Sequence, residues 1–287
     1  MLSKIKNFVK EIESKYFYQR PSKKYRNILL NSLSNSDKIK LQSDFDILDR
    51  DGVLIMPEYF KKFLPNLKDE FENFISNYSL SIGKKQNGED DGKEDIGHYS
   101  VNSKGLANSH YTSLIALDEY LTCLISYYWG KPVNWAQMSG TRLEPLDVNE
   151  DYRAMKWHHD GNYKQIKVFV LLTDTHKDHQ CTHFIPRTHK EWKPKSDKFG
   201  VSQETINNFP EPIYAAGKAG TIIIANTNGY HRGNRNNTAR RDMLIFNYTA
   251  GRSIWPISLP DDVLIKKNYS WLSKNNLTGV SNQNNQF

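Results

Sequence analysis

Two histidines and a carboxylate carry the chemistry this chain can offer. They are His158 and Asp160 in Trp157-His158-His159-Asp160-Gly161, and His231 in Asn228-Gly229-Tyr230-His231-Arg232-Gly233. Two neutral imidazoles and one carboxylate, with the other positions left open, are the ligand set suited to non-haem Fe(II) and oxygen chemistry. Arg241 follows after a turn-rich stretch. A guanidinium beside such a centre can grip a carboxylate cosubstrate through two parallel hydrogen bonds.

Spacing decides whether these four residues can meet. In a strand, residues i and i+2 point to the same face. His158 and Asp160 then aim inward together while His159 turns away. Gly220-Thr221-Ile222-Ile223-Ile224-Ala225 reads as a buried strand with His231 just beyond it. Residues 232–237 read as a hairpin-type turn, after which Arg241 opens the returning strand Met243-Leu244-Ile245-Phe246. Pairing of those strands brings Arg241 within reach of the pocket that His231 borders. A His-X-Asp pair alone is a weak signal in a chain with nine histidines, so the weight rests on the combination. A rival cluster, His176, His179, Cys181 and His183 with His189 beyond, superficially suggests zinc. Its spacing lacks the paired knuckles of a structural zinc site and reads better as a polar loop.

The elements that must position these residues change character along the chain. Residues 2–16 place apolar side chains at helical spacing, residues 36–51 are polar and end in a turn signal, and Val53–Met56 is a short strand. Helices are predicted over 58–80 and 112–128, separated by a long loop at 83–110. From 132 onward the segments are short, β-branched and aromatic. Strands are predicted near 133–138, 141–145, 153–158, 165–173, 181–186, 212–215, 220–225 and 241–249. Short strands without intervening helices imply a mainly β fold with flanking helices, a double-stranded β-helix of the jelly-roll, cupin-like kind. The expected organisation is a helical appendage at 1–42, the β domain at 43–255, and an extension at 256–287 whose tail is poorly ordered from about 272.

Composition excludes several classes. Hydrophobic residues at 38% and charged residues at 25% fit a globular chain, and no apolar run reaches the ~20 residues that span a bilayer. The lysines at positions 4 and 6 interrupt any secretory signal. Two distant cysteines make no disulfide scaffold and point to reduced thiols in the cytoplasm. The net charge of +7 is compatible with an anionic small-molecule substrate, and no nucleic-acid fold signature is present. Nothing in the sequence addresses oligomeric state.

The sequence resembles the phytanoyl-CoA dioxygenase-like branch of the Fe(II)/2-oxoglutarate-dependent oxygenases over roughly 43–255. Four segments carry the likeness: Asp49-Arg50-Asp51-Gly52-Val53-Leu54-Ile55; Trp157-His158-His159-Asp160; 167–174 with Phe184-Ile185-Pro186-Arg187-Thr188-His189; and Gly220–Gly233 with Arg241–Tyr248. Arg187-Thr188 replace the usual Gly-Ser, and the doublet Arg240-Arg241 leaves the cosubstrate arginine open by one position. Tyr248, placed as in the family pattern, favours Arg241. The resemblance implies that His158, Asp160 and His231 hold Fe(II). Arg241 binds the far carboxylate of 2-oxoglutarate, and O2 is consumed with release of succinate and CO2. In halogenating relatives a small residue replaces the aspartate, so Asp160 implies hydroxylation.

Two other readings compete: a metal-binding jelly roll with a reaction that needs no 2-oxoglutarate, such as an isomerase or another dioxygenase, and a non-catalytic binding relative. The substrate is not legible. The loop 83–110, with Tyr99 and His110, and the segment 190–211, with Trp192, Lys193 and Lys195, are the expected rim.

Overall fold

Strand β10 (Arg241–Ala250) is the spine of the computed structural model, which describes residues 22–250 apart from 79, 82–97, 102–105, 107–108, 132, 146–154, 162–164 and 199. It pairs antiparallel with β4 (Val133–Leu143) on one side and with β5 (Gln165–Leu171) on the other. Beyond β5 the sheet continues through β8 (Ile222–Ala225) to β1 (Val53–Met56). Beyond β4 it continues through β3 (His98–Val101) to β2 (Leu80–Ser81), giving the seven-stranded order β1-β8-β5-β10-β4-β3-β2. A second, three-stranded sheet runs β7 (Ile213–Tyr214), β6 (His183–Phe184), β9 (His231–Arg232). Two facing antiparallel sheets of short strands are the layers of a jelly roll.

Alternation along each strand separates two environments. On one face of the large sheet, Leu54, Ile166, Val168, Val170, Ile222, Ile224, Leu244, Phe246 and Tyr248 join a core shared with the helices. On the other, Val53, Phe169, Leu171, Ile223, Ala225 and Met243 meet Phe184 of the small sheet and Ala215, the residue after β7. The candidate site opens from this second, inter-sheet layer.

Helices α1 (Lys23–Asn31), α2 (Asn35–Asp51), α3 (Leu64–Tyr78), α4 (His110–Ala116) and α5 (Glu119–Trp129) supply residues to the first core. Ser22 and Ser34 cap α1 and α2 by accepting from Tyr25 N–H and Asp37 N–H. The Arg26 guanidinium donates to the carbonyls of Tyr127 and Tyr128 at 2.7 and 2.8 Å, at the end of α5 where backbone acceptors lack a full set of helical donors. Helix α2 stops at Gly52 in the left-handed region (φ 78°), and β1 begins at the next residue.

Several expectations are corrected by this arrangement. The polar stretch 36–51 is helical: Leu41 and Leu48 are fully buried, and Phe45 and Ile47 pack against the same core. The expected boundary at 42/43 falls inside α2, and Leu29, Leu41 and Leu48 share one core with the sheet. The helix expected over 58–80 begins later, with a 3-10 turn at Lys61–Phe63 and α3 from Leu64. The helix expected over 112–128 breaks in two because Asp118 caps a new start, accepting from Leu121 N–H at 3.0 Å. Strands expected at 133–138 and 141–145 are one strand, β4. The strand expected over 153–158 is reduced, among described residues, to bridges at Trp157 and His158. The expected helix at 2–16 and the tail from 272 lie outside the described residues.

Candidate active site

The His-X-Asp segment is held from both sides. Trp157 O accepts from Val201 N–H at 2.7 Å, its indole N–H donates to Gln203 Oε1 at 3.1 Å, and the Arg232 guanidinium lies 4.7 Å over its ring. His158 forms an isolated antiparallel bridge with His231, and Asp160 N–H donates to Thr227 O at 2.9 Å. His159 points away, its Nε2 against Pro194 O at 3.0 Å, as the period-two reading requires.

Ligand-capable atoms of His158, Asp160 and His231 all lie within 4.8 Å of one another, and this is the sole such cluster of three among the described residues. His231 Nε2 stands 3.9 Å from Asp160 Oδ2. His158 Nδ1 donates to Lys156 O at 2.7 Å and His231 Nδ1 to Gly229 O at 3.0 Å. A carbonyl can only accept, so each proton sits on Nδ1 and each Nε2 lone pair is free. Pinning of the outer nitrogen is the arrangement that orients metal-binding imidazoles. Burial pulls His231 down to about 4, against the raising influence of Asp160, so it is neutral and ligand-ready at physiological pH. Burial alone would raise the Asp160 carboxyl, but His231 and Lys167 outweigh it and hold the group well below the usual carboxylate range. This donor set of two neutral imidazoles and one carboxylate fits a divalent first-row ion.

Arg241 is 7% exposed and opens β10. Its Nη1 reaches Thr182 Oγ1 at 3.5 Å, and among the described residues its Nε has no hydrogen-bond partner and no carboxylate pairs with it. Burial pulls this guanidinium down to about 10. A buried, unpaired cation of this kind is costly unless an anion joins it. Arg240 instead lies outside, exposed, 3.5 Å from Asp242 and 3.9 Å from Glu72. Of the two arginines, Arg241 is the buried one and Arg240 the exposed one.

The other sequence candidates separate. His176 and His179 pack ring against ring at 4.8 Å, while His183 lies against Tyr214 and Trp157, so the zinc-like string does not converge. Cys123 and Cys181 are free and buried. Lys193, expected on the rim, is buried with its ammonium on the carbonyls of Thr188 and Glu191. Tyr99 packs towards the helix-side core, and His110 sits at the start of α4 against Tyr111. Trp192 is 45% exposed.

Sequence reasoning missed Lys167, whose Nζ lies 2.7 Å from Asp160 Oδ2. It also missed Thr227, whose hydroxyl bonds to Asp160 and accepts from Gln165 Nε2 at 3.1 Å. The signal was available: Gln165 and Lys167 are polar residues at the parity of Phe169 and Leu171 in an otherwise apolar strand.

A family model, phytanoyl-CoA dioxygenase, matches residues 49–243. No curated protein matches. Among solved structures, the non-haem alpha-ketoglutarate-dependent epimerase SnoN from nogalamycin biosynthesis superposes with a TM-score of 0.60 at 16% identity, covering 77% of this chain and 96% of that one. EctD from S. alaskensis, solved with 2-oxoglutarate and 5-hydroxyectoine, gives 0.58 at 17% identity, covering 72% of this chain and 75% of its own. HygX from Streptomyces hygroscopicus, solved with nickel, 2-oxoglutarate and hygromycin B, gives 0.53 at 17% identity, covering 75% and 90%.

Proposed function

The chain belongs to the phytanoyl-CoA dioxygenase family of Fe(II)- and 2-oxoglutarate-dependent oxygenases, and from that premise we propose that it hydroxylates a small molecule, with His158, Asp160 and His231 as iron ligands and Arg241 as the 2-oxoglutarate anchor. The observation that carries this reading is the cluster of ligand atoms within 4.8 Å, with both Nδ1 atoms tied to backbone carbonyls.

Bound there, iron and 2-oxoglutarate would activate O2, releasing succinate and CO2 and delivering an oxygen atom to the substrate. The chain's own residues do the rest. The carbonyls of Lys156 and Gly229 hold the two imidazoles in the tautomer that offers Nε2. Lys167 and Thr227 keep Asp160 ionised and fix its rotation. Arg241 would take the far carboxylate of the cosubstrate, its guanidinium being the inward cation of β10. Phe169, Phe184 and Met243 line the inter-sheet layer and exclude water from it.

Hydroxylation is favoured by Asp160, which fills the position that a halide needs. The structurally similar proteins include an epimerase and a carbocyclase as well as EctD, so product analysis decides the outcome. Protein supplied with Fe(II), 2-oxoglutarate and O2 should release succinate when the right metabolite is added. The product should gain one oxygen atom, labelled when 18O2 is used. A product of unchanged mass would replace hydroxylation with isomerisation, and succinate-free turnover would remove the 2-oxoglutarate reading.

A further inference from the structure

Building on the oxygenase reading, we propose that Gln165, Lys167, Asn247 and Thr249 form a polar floor for the substrate, which presents neighbouring hydroxyl or amino groups to it. Register sets the floor: Gln165 faces Thr249 and Lys167 faces Asn247 across the β5–β10 pair. Directly opposed residues hold their Cβ atoms about 5 Å apart, so the four make one contiguous patch. Their parity is that of Phe169 and Leu171, which line the inter-sheet layer, whereas Ile166, Val168 and Tyr248 point into the helix-side core.

Three atoms of this patch are buried without a partner among the described residues: Gln165 Oε1, Asn247 Oδ1 and Thr249 Oγ1. Gln165 is fully buried, and its amide nitrogen is committed to Thr227 Oγ1 at 3.1 Å, so its carbonyl oxygen is the free end. Unsatisfied buried polar atoms destabilise a fold, and a cluster of them on one patch marks a place where a ligand completes the hydrogen bonding. On β5 and β8 the same face is otherwise apolar, through Phe169, Leu171, Ile223 and Ala225.

The patch adjoins the reacting centre, since Lys167 Nζ lies 2.7 Å from Asp160 Oδ2. An ammonium has three N–H donors, so Lys167 keeps donors for a substrate oxygen after serving Asp160. The two amide oxygens accept from O–H or N–H groups, and the threonine hydroxyl does either. An amino- or hydroxyl-bearing molecule satisfies all four residues at once. An alkyl chain laid on the floor would leave the three atoms unpaired.

The test uses near-isosteric apolar replacements, Asn247→Leu and Thr249→Val, with glucosamine as the amino-hydroxyl probe and octanoate as the alkyl probe. Thermal melting of the metal-free protein should show each variant as stable as the parent or more so, because a polar atom without a partner has been removed. A role inside the fold would instead lower the melting temperature. Calorimetry on protein loaded with Mn(II) and N-oxalylglycine should show glucosamine binding the parent at least tenfold more tightly than octanoate. Each variant should lose at least tenfold in glucosamine affinity. Melting temperatures that fall in both variants, absence of glucosamine binding, or glucosamine affinity unmoved by the substitutions would each overturn the proposal. Failure of the parent to bind 2-oxoglutarate in a separate titration would topple the oxygenase reading while leaving the melting and glucosamine results interpretable.

Discussion

His158 and His231 are each other's backbone partners: the N–H of each donates to the carbonyl of the other, at 2.9 and 2.8 Å. Their rings lie 4.4 Å apart on the same side of that bridge. One strand segment thus fixes the other, and two candidate ligands distant in sequence are set before any ion arrives. His158→Ala or His231→Ala is expected to reduce 2-oxoglutarate turnover to background. Each should also weaken Fe(II) binding by more than the ~10–100-fold that loss of an outer-shell partner costs. Anaerobic Fe(II) titration and succinate release check both, and full turnover by either variant would remove that histidine from the metal set.

Arg241 and Arg240 offer a matched comparison, one buried without a carboxylate and the other exposed between Glu72 and Asp242. Arg241→Met should raise the KM for 2-oxoglutarate by about 30-fold or more, the equivalent of roughly 2 kcal/mol for losing one partner of a buried charge pair. It should also leave the ligand-free protein no less stable, since an uncompensated buried cation is gone. In the parent, 2-oxoglutarate with Mn(II) should raise the melting temperature, as any ligand of the native state does, and Arg241→Met should abolish that shift. Arg240→Ala should change neither. Equal effects at the two positions would show that inward burial is not what selects the anchor.

What was legible in the sequence follows from how local each signal is. His158 and Asp160 are readable because period two is a property of one strand. His231 and Arg241 are readable because a buried isoleucine run and a turn bracket them. Lys167 shows in the sequence as a polar residue at an apolar parity of β5, but its partner, Asp160, depends on which segment crosses over that strand. Helix α2 was missed for a different reason. Leu41, Phe45 and Leu48 do stand at helical spacing, but the charged residues between them and the turn signal at 49–52 masked that stripe, which the core then seats. Lys193 was misplaced because a lysine buried on backbone carbonyls has the same sequence signature as one in solvent.

Acid should destabilise the protein through His183 and His189. Burial, aided by nearby cations, pulls both to about 4 from an ordinary value of 6.5. The unfolded chain therefore binds more protons than the folded one below pH 6.5. The stability these neutral rings contribute is complete above that point and is lost as pH falls through the folded value. The melting temperature should decline between about pH 6.5 and 4, and His183→Gln should make the decline shallower. A flat profile across this window would mean that neither ring is held neutral by the fold.

Arg142 and Asp242, directly opposed across β4 and β10, form a buried pair joined at 2.8 and 2.9 Å. Glu72 completes the cluster from α3, but it is 52% exposed where Asp242 is 5% exposed. Asp242→Ala leaves the buried guanidinium with only the solvent-screened Glu72 and should cost about 3–5 kcal/mol. Glu72→Ala removes a solvent-screened partner and should cost no more than about 1 kcal/mol. Urea denaturation of the two variants reads the difference. Asp242 also adjoins Arg241 in the strand, and its backbone is fixed by Leu172 N–H donating to Asp242 O at 2.9 Å and by Asp242 N–H donating to Thr173 Oγ1 at 3.1 Å. Loss of the Arg142 pair loosens the start of β10, so Asp242→Ala should raise the 2-oxoglutarate requirement as well, whereas Glu72→Ala should not. If the two substitutions cost the same, burial is not what gives the pair its strength, and the stability of the β4–β10 edge must come from the backbone ladder alone.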